Sequence, residues 1–479
     1  MRFTVITLSV SSVFFAACGS TPGTGTTATG TGGSGTGGNG TTSSGTGGDM
    51  STSTSTSATG TGGSGPTCGN DAWTTYGHDA QRTSASDGCI DGPLTPLWTY
   101  TPQAPMGKML KRVFHPLATK DAVFLHWSAT NPPYTGTSAA DRVTLDGARA
   151  WTFDSGTDTD LGDWMSLWND KVVLNSDGIY LLDQADGHGV GGTGVDWWGQ
   201  TIPTDKALLF SITSKSDGPG LFVGALDAKA MLLWKQNEQG TMCGQGFADQ
   251  SGGIALDGTF FVYAPLYASG SATPPTLASG VYAFDSSTMG APLWSMPTKP
   301  ASAVSAGGGL VFLVEGDPGM TTKLVARKQT DGSVAWSTDA PNAGTQAPVL
   351  AGGSVLVATS SGILSVARAD GKAAWTNPVS VAAAGNSTPI SNGCGGIQPL
   401  RNLPTTTLAA ALGSGTLVAV QGANVTVISL ATGITAWTGK EGRMGSLVNP
   451  VIVGNRLYMV DQGGAMGDSL VAMAAAAPQ

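Results

Sequence analysis

A short phrase that ends in tryptophan recurs along most of this chain, and it constrains the fold more than any other feature. The clearest copy is Gly362-Ile363-Leu364-Ser365-Val366-Ala367-Arg368-Ala369-Asp370-Gly371-Lys372-Ala373-Ala374-Trp375. It reads as an alternating strand, a tight Asp-Gly turn, and a second strand closing on Trp. Further copies run from Lys323 to Trp336, Asn424 to Trp437, Val281 to Trp294 and Val143 to Trp151. Asp331-Gly332, Thr432-Gly433 and Asp146-Gly147 stand at the turn position. Asp-Gly between two alternating apolar runs predicts a tight hairpin whose two central residues both reach positive φ.

The tryptophans that end these phrases are Trp98, Trp151, Trp198 (or Trp197), Trp234, Trp294, Trp336, Trp375 and Trp437, at spacings of 36 to 62 residues. Self-similarity at such a period means a solenoid or a propeller. Each unit reads as a small antiparallel sheet, the form of a propeller blade. The sequence therefore predicts an all-β, eight-bladed β-propeller. Trp98 comes before any complete blade. This predicts that Leu94 to Tyr100 supplies the outermost strand of the last blade, whose other strands are Val448 to Val453, Arg456 to Val460 and Ser469 to Met473. Joining the two ends of the chain in one sheet closes the ring and removes open edges. Three strands are read in blade three, a Gly-rich insertion at Gly187 to Gly194 in blade two, and a Pro/Ser-rich one at Pro265 to Ser279 in blade four. The phrase tryptophans are read as structural, each packed between blades with its N–H on a backbone partner.

These phrases resemble the quinoprotein-type, PQQ-like β-propeller repeats, from about residue 73 to 474. The opening stretch Trp73…Gly77-His78-Asp79…Arg82-Thr83…Gly92-Pro93-Leu94…Leu97-Trp98 is similar to that family's entry segment. The resemblance implies the fold. It leaves function open among dehydrogenases, assembly scaffolds and other exported proteins.

Four regions follow: a signal peptide and lipobox (1–18), a disordered linker (19–67), an entry segment with the closing strand (68–101) and the propeller (102–479). Arg2 and the apolar run Val5 to Phe15 read as an export signal too short to span a membrane. Phe15-Ala16-Ala17-Cys18 resembles a bacterial lipobox, which would leave Cys18 as a lipid-modified N-terminus; an ordinary signal cut near Ala17 is the alternative. Gly19 fits the borrowed rule for sorting to the outer membrane. The Gly/Ser/Thr tract 19–67 cannot bury a core. As a coil it places its ends ~40 Å apart. The membrane partner is thus reached through the N-terminal lipid, and the domain faces the periplasm or the cell surface.

Net charge is −9 and the isoelectric point about 4.8, which excludes a general nucleic-acid role. Beyond Cys18 four cysteines remain. In an exported protein an even number suggests disulfides. Cys68 and Cys89 bracket the entry segment and are paired here. Cys243 and Cys394, on loops that enter blades at one face, form the second candidate pair, closing a loop worth ~4–5 kcal/mol in the chain-entropy model; free thiols or another connectivity are the alternatives.

Cations fall on the same kind of loop. Lys108, Lys111 and Arg112 enter blade one, Lys206 blade three, Arg401 blade seven, and Lys440 and Arg443 blade eight. They outline a possible anion-binding face, offset by Asp163, Asp249 and Glu441; a solvated loop face is the ordinary alternative. His78, His115, His126 and His188 are too scattered for a metal cluster, and no metal site is assigned. PQQ with calcium would need hard oxygen ligands and a catalytic carboxylate. The family's adjacent-cysteine pair is missing, and Asp249 and Asn449 are only generic ligands. The reading is a non-catalytic binding or scaffold protein of the cell envelope, for an unknown protein or small-molecule ligand. The alternatives are a periplasmic scaffold similar to the lipoprotein of the outer-membrane β-barrel assembly machinery, and a PQQ/calcium-dependent dehydrogenase.

Overall fold

The computed structural model describes residues 68–131, 135–156, 164–175, 178–193, 201–214, 220–239, 253–264, 280–288, 290–299, 301–316, 321–344, 346–379, 390–391, 397–398, 406–440, 445–463 and 467–475. These residues build eight sheets of four strands or more, the four strands of each blade running antiparallel to their neighbours. The innermost strands, blade by blade, are Met109–Ala118, Trp164–Trp168, Thr201–Pro203, Gly253–Leu256, Ser305–Gly307, Val349–Ala351, Thr407–Ala411 and Ser446–Val453. Each touches the innermost strand of the next blade, and the last touches the first, so they form a closed ring around an axis. The fold is an eight-bladed β-propeller.

Blade six explains why the chain reads as it does. Ser354–Thr359 and Gly362–Ala367 are buried almost throughout, because a blade is covered on both faces by its neighbours. Their sequences are accordingly near-continuous apolar runs. The outermost strand, Ala373–Asn377, is largely exposed. Ring closure follows the sequence expectation: Leu94–Tyr100 pairs antiparallel with Ser469–Ala475, from Leu94 opposite Ala475 to Tyr100 opposite Leu470.

Three expectations need correction, and one strand is an addition. Blade three has four strands, its first being the three-residue Thr201–Pro203, too short to show an alternation. The Gly-rich stretch of blade two is an outermost strand, Gly189–Thr193, paired with Ile179–Asp183 through its backbone. Blade seven has a fifth strand, because Ala85–Ser86 of the entry segment adds in parallel to Ala410 and Ala411. Finally, the Asp-Gly turns are longer than tight hairpins. In blade six Gly371 N–H bonds Ala367 O at 2.9 Å, and only Gly371 of the central pair has positive φ, +72°. Asp370 instead accepts Lys372 N–H at 3.2 Å, a local side-chain turn bond.

Candidate functional site: the sealed end of the axial channel

The entry segment makes one lap of the axis before the first blade begins. Trp73 exchanges two backbone bonds with Ala118 of blade one, and Thr74 O accepts Leu167 N–H of blade two. Ala80 O then accepts Ala255 N–H of blade four, Gln81 O accepts Ala306 N–H of blade five, and Thr83 O accepts Leu350 N–H of blade six. Ser84 O and Ser86 O accept Ala410 and Leu412 N–H in blade seven, and Cys89 N–H bonds Gly454 O in blade eight. Leu167, Ala255, Ala306, Leu350 and Ala410 are each the next-to-last residue of their innermost strand. The ring therefore offers a row of inward N–H groups at one level, and buried backbone donors must be paired. The entry segment pairs them.

Sharp turning makes the lap possible. Gly77, His78, Arg82 and Ser84 all have positive φ, and a β-carbon on Gly77 would stand 3.0 Å from Arg82 Cβ. Trp73, Thr75, Arg82, Ser84 and Ser86 are buried. The Arg82 guanidinium lies 5.5 Å from the centre of the Tyr76 ring, and His115 and Trp164 meet the same ring edge-on at 5.0 and 5.5 Å. The Cys68–Cys89 disulfide closes the lap, joining its start to its end.

A charged clamp holds the middle of the lap. His78 Nε2 lies 2.8 Å from Asp71 Oδ2 and its Nδ1 3.3 Å from Asp79 Oδ2. Burial disfavours the charged ring, but hydrogen bonds and charge from Asp71 and Asp79 outweigh it and raise the His78 pKa to about 9. Burial likewise opposes ionisation of both carboxylates, and the His78 interactions prevail, holding them below the ordinary aspartate value. Asp79 also accepts the Thr83 hydroxyl at 2.6 Å, and Asp71 the Ser86 hydroxyl at 2.8 Å. His115 is the opposite case: burial alone pushes its pKa down to about 3, so it is a neutral imidazole. His126 bonds Ser138 at 2.7 Å inside blade one, and His188 pairs with Asp186 at the rim.

The tryptophans hold the blades together around this axis. Trp98, Trp151, Trp294, Trp336 and Trp375 each donate Nε1–H to a turn carbonyl of the following blade: Leu145, Gln184, Gln329, Arg368 and Leu430, at 2.8 to 3.1 Å. The turn glycine of that blade, Gly147, Gly187, Gly332, Gly371 or Gly433, lies flat on the indole. Trp437 packs in the same way on Gly92, just ahead of the closing strand. Trp234 packs against the apolar cluster of blades three and four. In the described outermost strand of blade two the equivalent position is Gly191, opposite Leu181 after the bulge; Trp198 and Trp197 lie outside the described residues.

Several sequence candidates are not brought together. Lys108 and Arg112 lie near the start of the first innermost strand, at the end of the channel opposite the lap, with Lys111 between them in the strand. Arg112 stacks 5.3 Å from the Phe114 ring. Lys206 sits in the turn after Thr201–Pro203, at the other end of the blade from where a shared face requires it. Lys440 ends the outermost strand of blade seven. Arg401, Arg443, Asp163, Asp249, Glu441, Cys243 and Cys394 lie outside the described residues. Asn449 sits in a bulge of Ser446–Val453, its N–H on Thr407 Oγ1 at 3.2 Å. In the sequence the entry segment is visible only through its resemblance to a family entry segment, and nothing in that resemblance puts it on the axis. Its carbonyl bonds carry no side-chain signature; the clustered His78-Asp79 and buried-sized Arg82 were the available hint.

The family model described as "Outer membrane protein assembly factor BamB" matches residues 278–476, from the third strand of blade four to the end of blade eight. No curated protein matches the chain. Among solved structures, BamB from Moraxella catarrhalis aligns at 11% identity over 81% of this chain and 99% of its own, with a TM-score of 0.51. The quinohemoprotein alcohol dehydrogenase of Comamonas testosteroni aligns at 13% identity over 85% of this chain and 81% of its own, TM-score 0.57. A europium-containing methanol dehydrogenase aligns at 12% identity over 84% and 98%, TM-score 0.58. At such identities the likeness is one of fold: an eight-bladed, PQQ-like propeller.

The fold family implies PQQ with a metal ion, and such a group would have to sit clear of the end of the axis that residues 73–89 occupy. The axis at one end is filled by residues 73–89 of the chain itself. No three His, Cys, Asp or Glu side chains among the described residues gather as a metal-holding group.

Proposed function

We propose that this chain is an exported, lipid-anchored propeller that binds rather than catalyses, serving as a scaffold at the bacterial cell envelope. The observation that supports this most is the lap of residues 73–89. A chain that spends its own backbone on filling the axis keeps its outer surfaces, not a through-channel, for recognition. The match of residues 278–476 to the BamB family description favours a partner among envelope proteins. The lipobox at Phe15 to Cys18 and the 19–67 tract supply an outer-membrane tether long enough to hold the domain clear of the bilayer.

The test is a cross-linking co-purification from cell envelopes, paired with a PQQ and calcium titration of the purified protein. Recovery of the same envelope partner from wild type, with no saturable change in cofactor absorbance or thermal midpoint, is the expected result. Saturable PQQ binding with dye-linked alcohol oxidation overturns the reading in favour of a dehydrogenase. Lipid attachment is checked separately, by metabolic palmitate labelling that Cys18→Ser should abolish.

A further inference from the structure

The Cys68–Cys89 bond joins the two ends of the axial lap, 21 residues apart in sequence and 5.3 Å apart between Cα atoms. Everything N-terminal to Cys68 is therefore linked covalently to Cys89 without passing through residues 69–88. We propose that this disulfide is a strain bypass: it carries tension from the N-terminal tether past the lap and into the ring.

The lap needs such protection because of how it is held. Its backbone bonds to the blades are placed one after another around the axis: a pair at Trp73, then one each at Thr74, Ala80, Gln81, Thr83, Ser84, Ser86 and Gly88. A pull on residue 68 in an open chain loads the Gly69 N–H to Asp87 O bond and the Asp71 contacts to Ser86, Asp87 and His78 first, then Trp73, then Thr74. Bonds met one at a time are peeled at low force, since each is worth little alone. With the disulfide in place the pull arrives at Cys89 instead. That residue is 6% exposed, and its neighbour Ile90 is fully buried. Cys89 N–H bonds Gly454 O in blade eight, while Ile90 N–H bonds Ser414 Oγ at 2.9 Å and Ile90 O accepts Thr416 Oγ1 at 2.6 Å in blade seven. The chain then runs straight into the closing strand Leu94–Tyr100, paired along its length with Ser469–Ala475. The load thus spreads over two blades and a full strand pairing. The tether itself rests on the lipid-anchored reading above; the bypass does not, because it needs only a pull at residue 67.

Single-molecule pulling tests this directly. One handle replaces the residues before Thr67, and the other is a clickable residue substituted at Lys323 on blade five, whose side chain is 58% exposed. The oxidised protein should show no lengthening before the ring opens. The Cys68→Ser/Cys89→Ser variant should first lengthen by roughly 70 Å in a separate low-force event, from 21 residues at ~3.5 Å each. Wild type folded oxidised and then reduced repeats the measurement should the variant fail to fold. A reduced chain that gives up residues 69–88 only together with the closing strand overturns the proposal. So does an oxidised chain that yields at the same low force. Neither outcome bears on what the protein binds.

Discussion

Gly371 of blade six lies so close upon the Trp336 ring of blade five that a β-carbon on it would stand 2.5 Å from Trp336 Cε3. Its φ of +72° is a second, independent reason for glycine. Gly371→Ala should therefore destabilise by roughly 2–5 kcal/mol, combining left-handed strain with displacement of a packed indole. Gly352 has φ +58° with open space around it, so Gly352→Ala should cost only the backbone share, ~1–2 kcal/mol. Urea midpoints of the two variants measure the difference.

Blades two and three make the reciprocal arrangement. Gly191 takes the tryptophan position, and Ala230, at φ +59° and buried, takes the glycine position. A β-carbon on Gly191 would come within 3.3 Å of Lys229 O. Gly191→Trp alone should destabilise strongly. Adding Ala230→Gly should recover part of the loss, and a double-mutant cycle should report coupling of ~0.5–3 kcal/mol. Additive effects would mean that the pair does not define this seam.

The His78 clamp sets a pH dependence. Its folded pKa, about 9, lies above the ordinary 6.5, so the stability it contributes is full below pH 6.5 and lost as pH rises through 9. Asp71 and Asp79 lie below their ordinary value, so their contribution is present above about pH 3.8 and lost on further acidification. His78→Asn should flatten the fall in thermal midpoint between pH 7 and 9 while lowering it at pH 6.5.

Asp141 should act in the opposite sense to those two carboxylates. It is fully buried between blades eight and one, accepting Tyr100 Oη–H at 2.6 Å and Thr152 Oγ1–H at 2.7 Å. Burial raises its pKa. Its stabilising contribution is thus full below pH 3.8 and lost as pH rises through the higher folded value. Asp141→Asn should remove that slope in a pH series of unfolding midpoints.

Arg327 and Glu315 form a forked ion pair at 2.7 and 3.1 Å, and Arg327 also donates to Gly332 O beneath the Trp294 dock. Breaking it on one side, with Arg327→Met, should cost ~3–5 kcal/mol by leaving Glu315 uncompensated. Replacing both, with Glu315→Leu added, should recover much of that in chemical denaturation.

The blades were legible because alternation and the turn-to-tryptophan spacing are local. The ring closure was legible because Trp98 stood ahead of its blade. Gly189–Thr193 was misread since glycines give no apolar period, and Thr201–Pro203 was missed since three residues cannot show one. The axial lap was hidden for a deeper reason: its bonds are made by main-chain carbonyls at Thr74, Ala80, Gln81 and Thr83, which any residue supplies. Only the paired Cys68 and Cys89 marked its ends.

The lap also acts as a gauge of blade number. Its carbonyls meet blades one, two, four, five, six and seven in chain order, and its Cys89 N–H then meets blade eight. Duplicating or deleting a blade, the ordinary way in which repeat proteins grow and shrink, would leave every later station out of step with its strand. The segment that precedes the repeats thereby fixes how many of them the ring can hold.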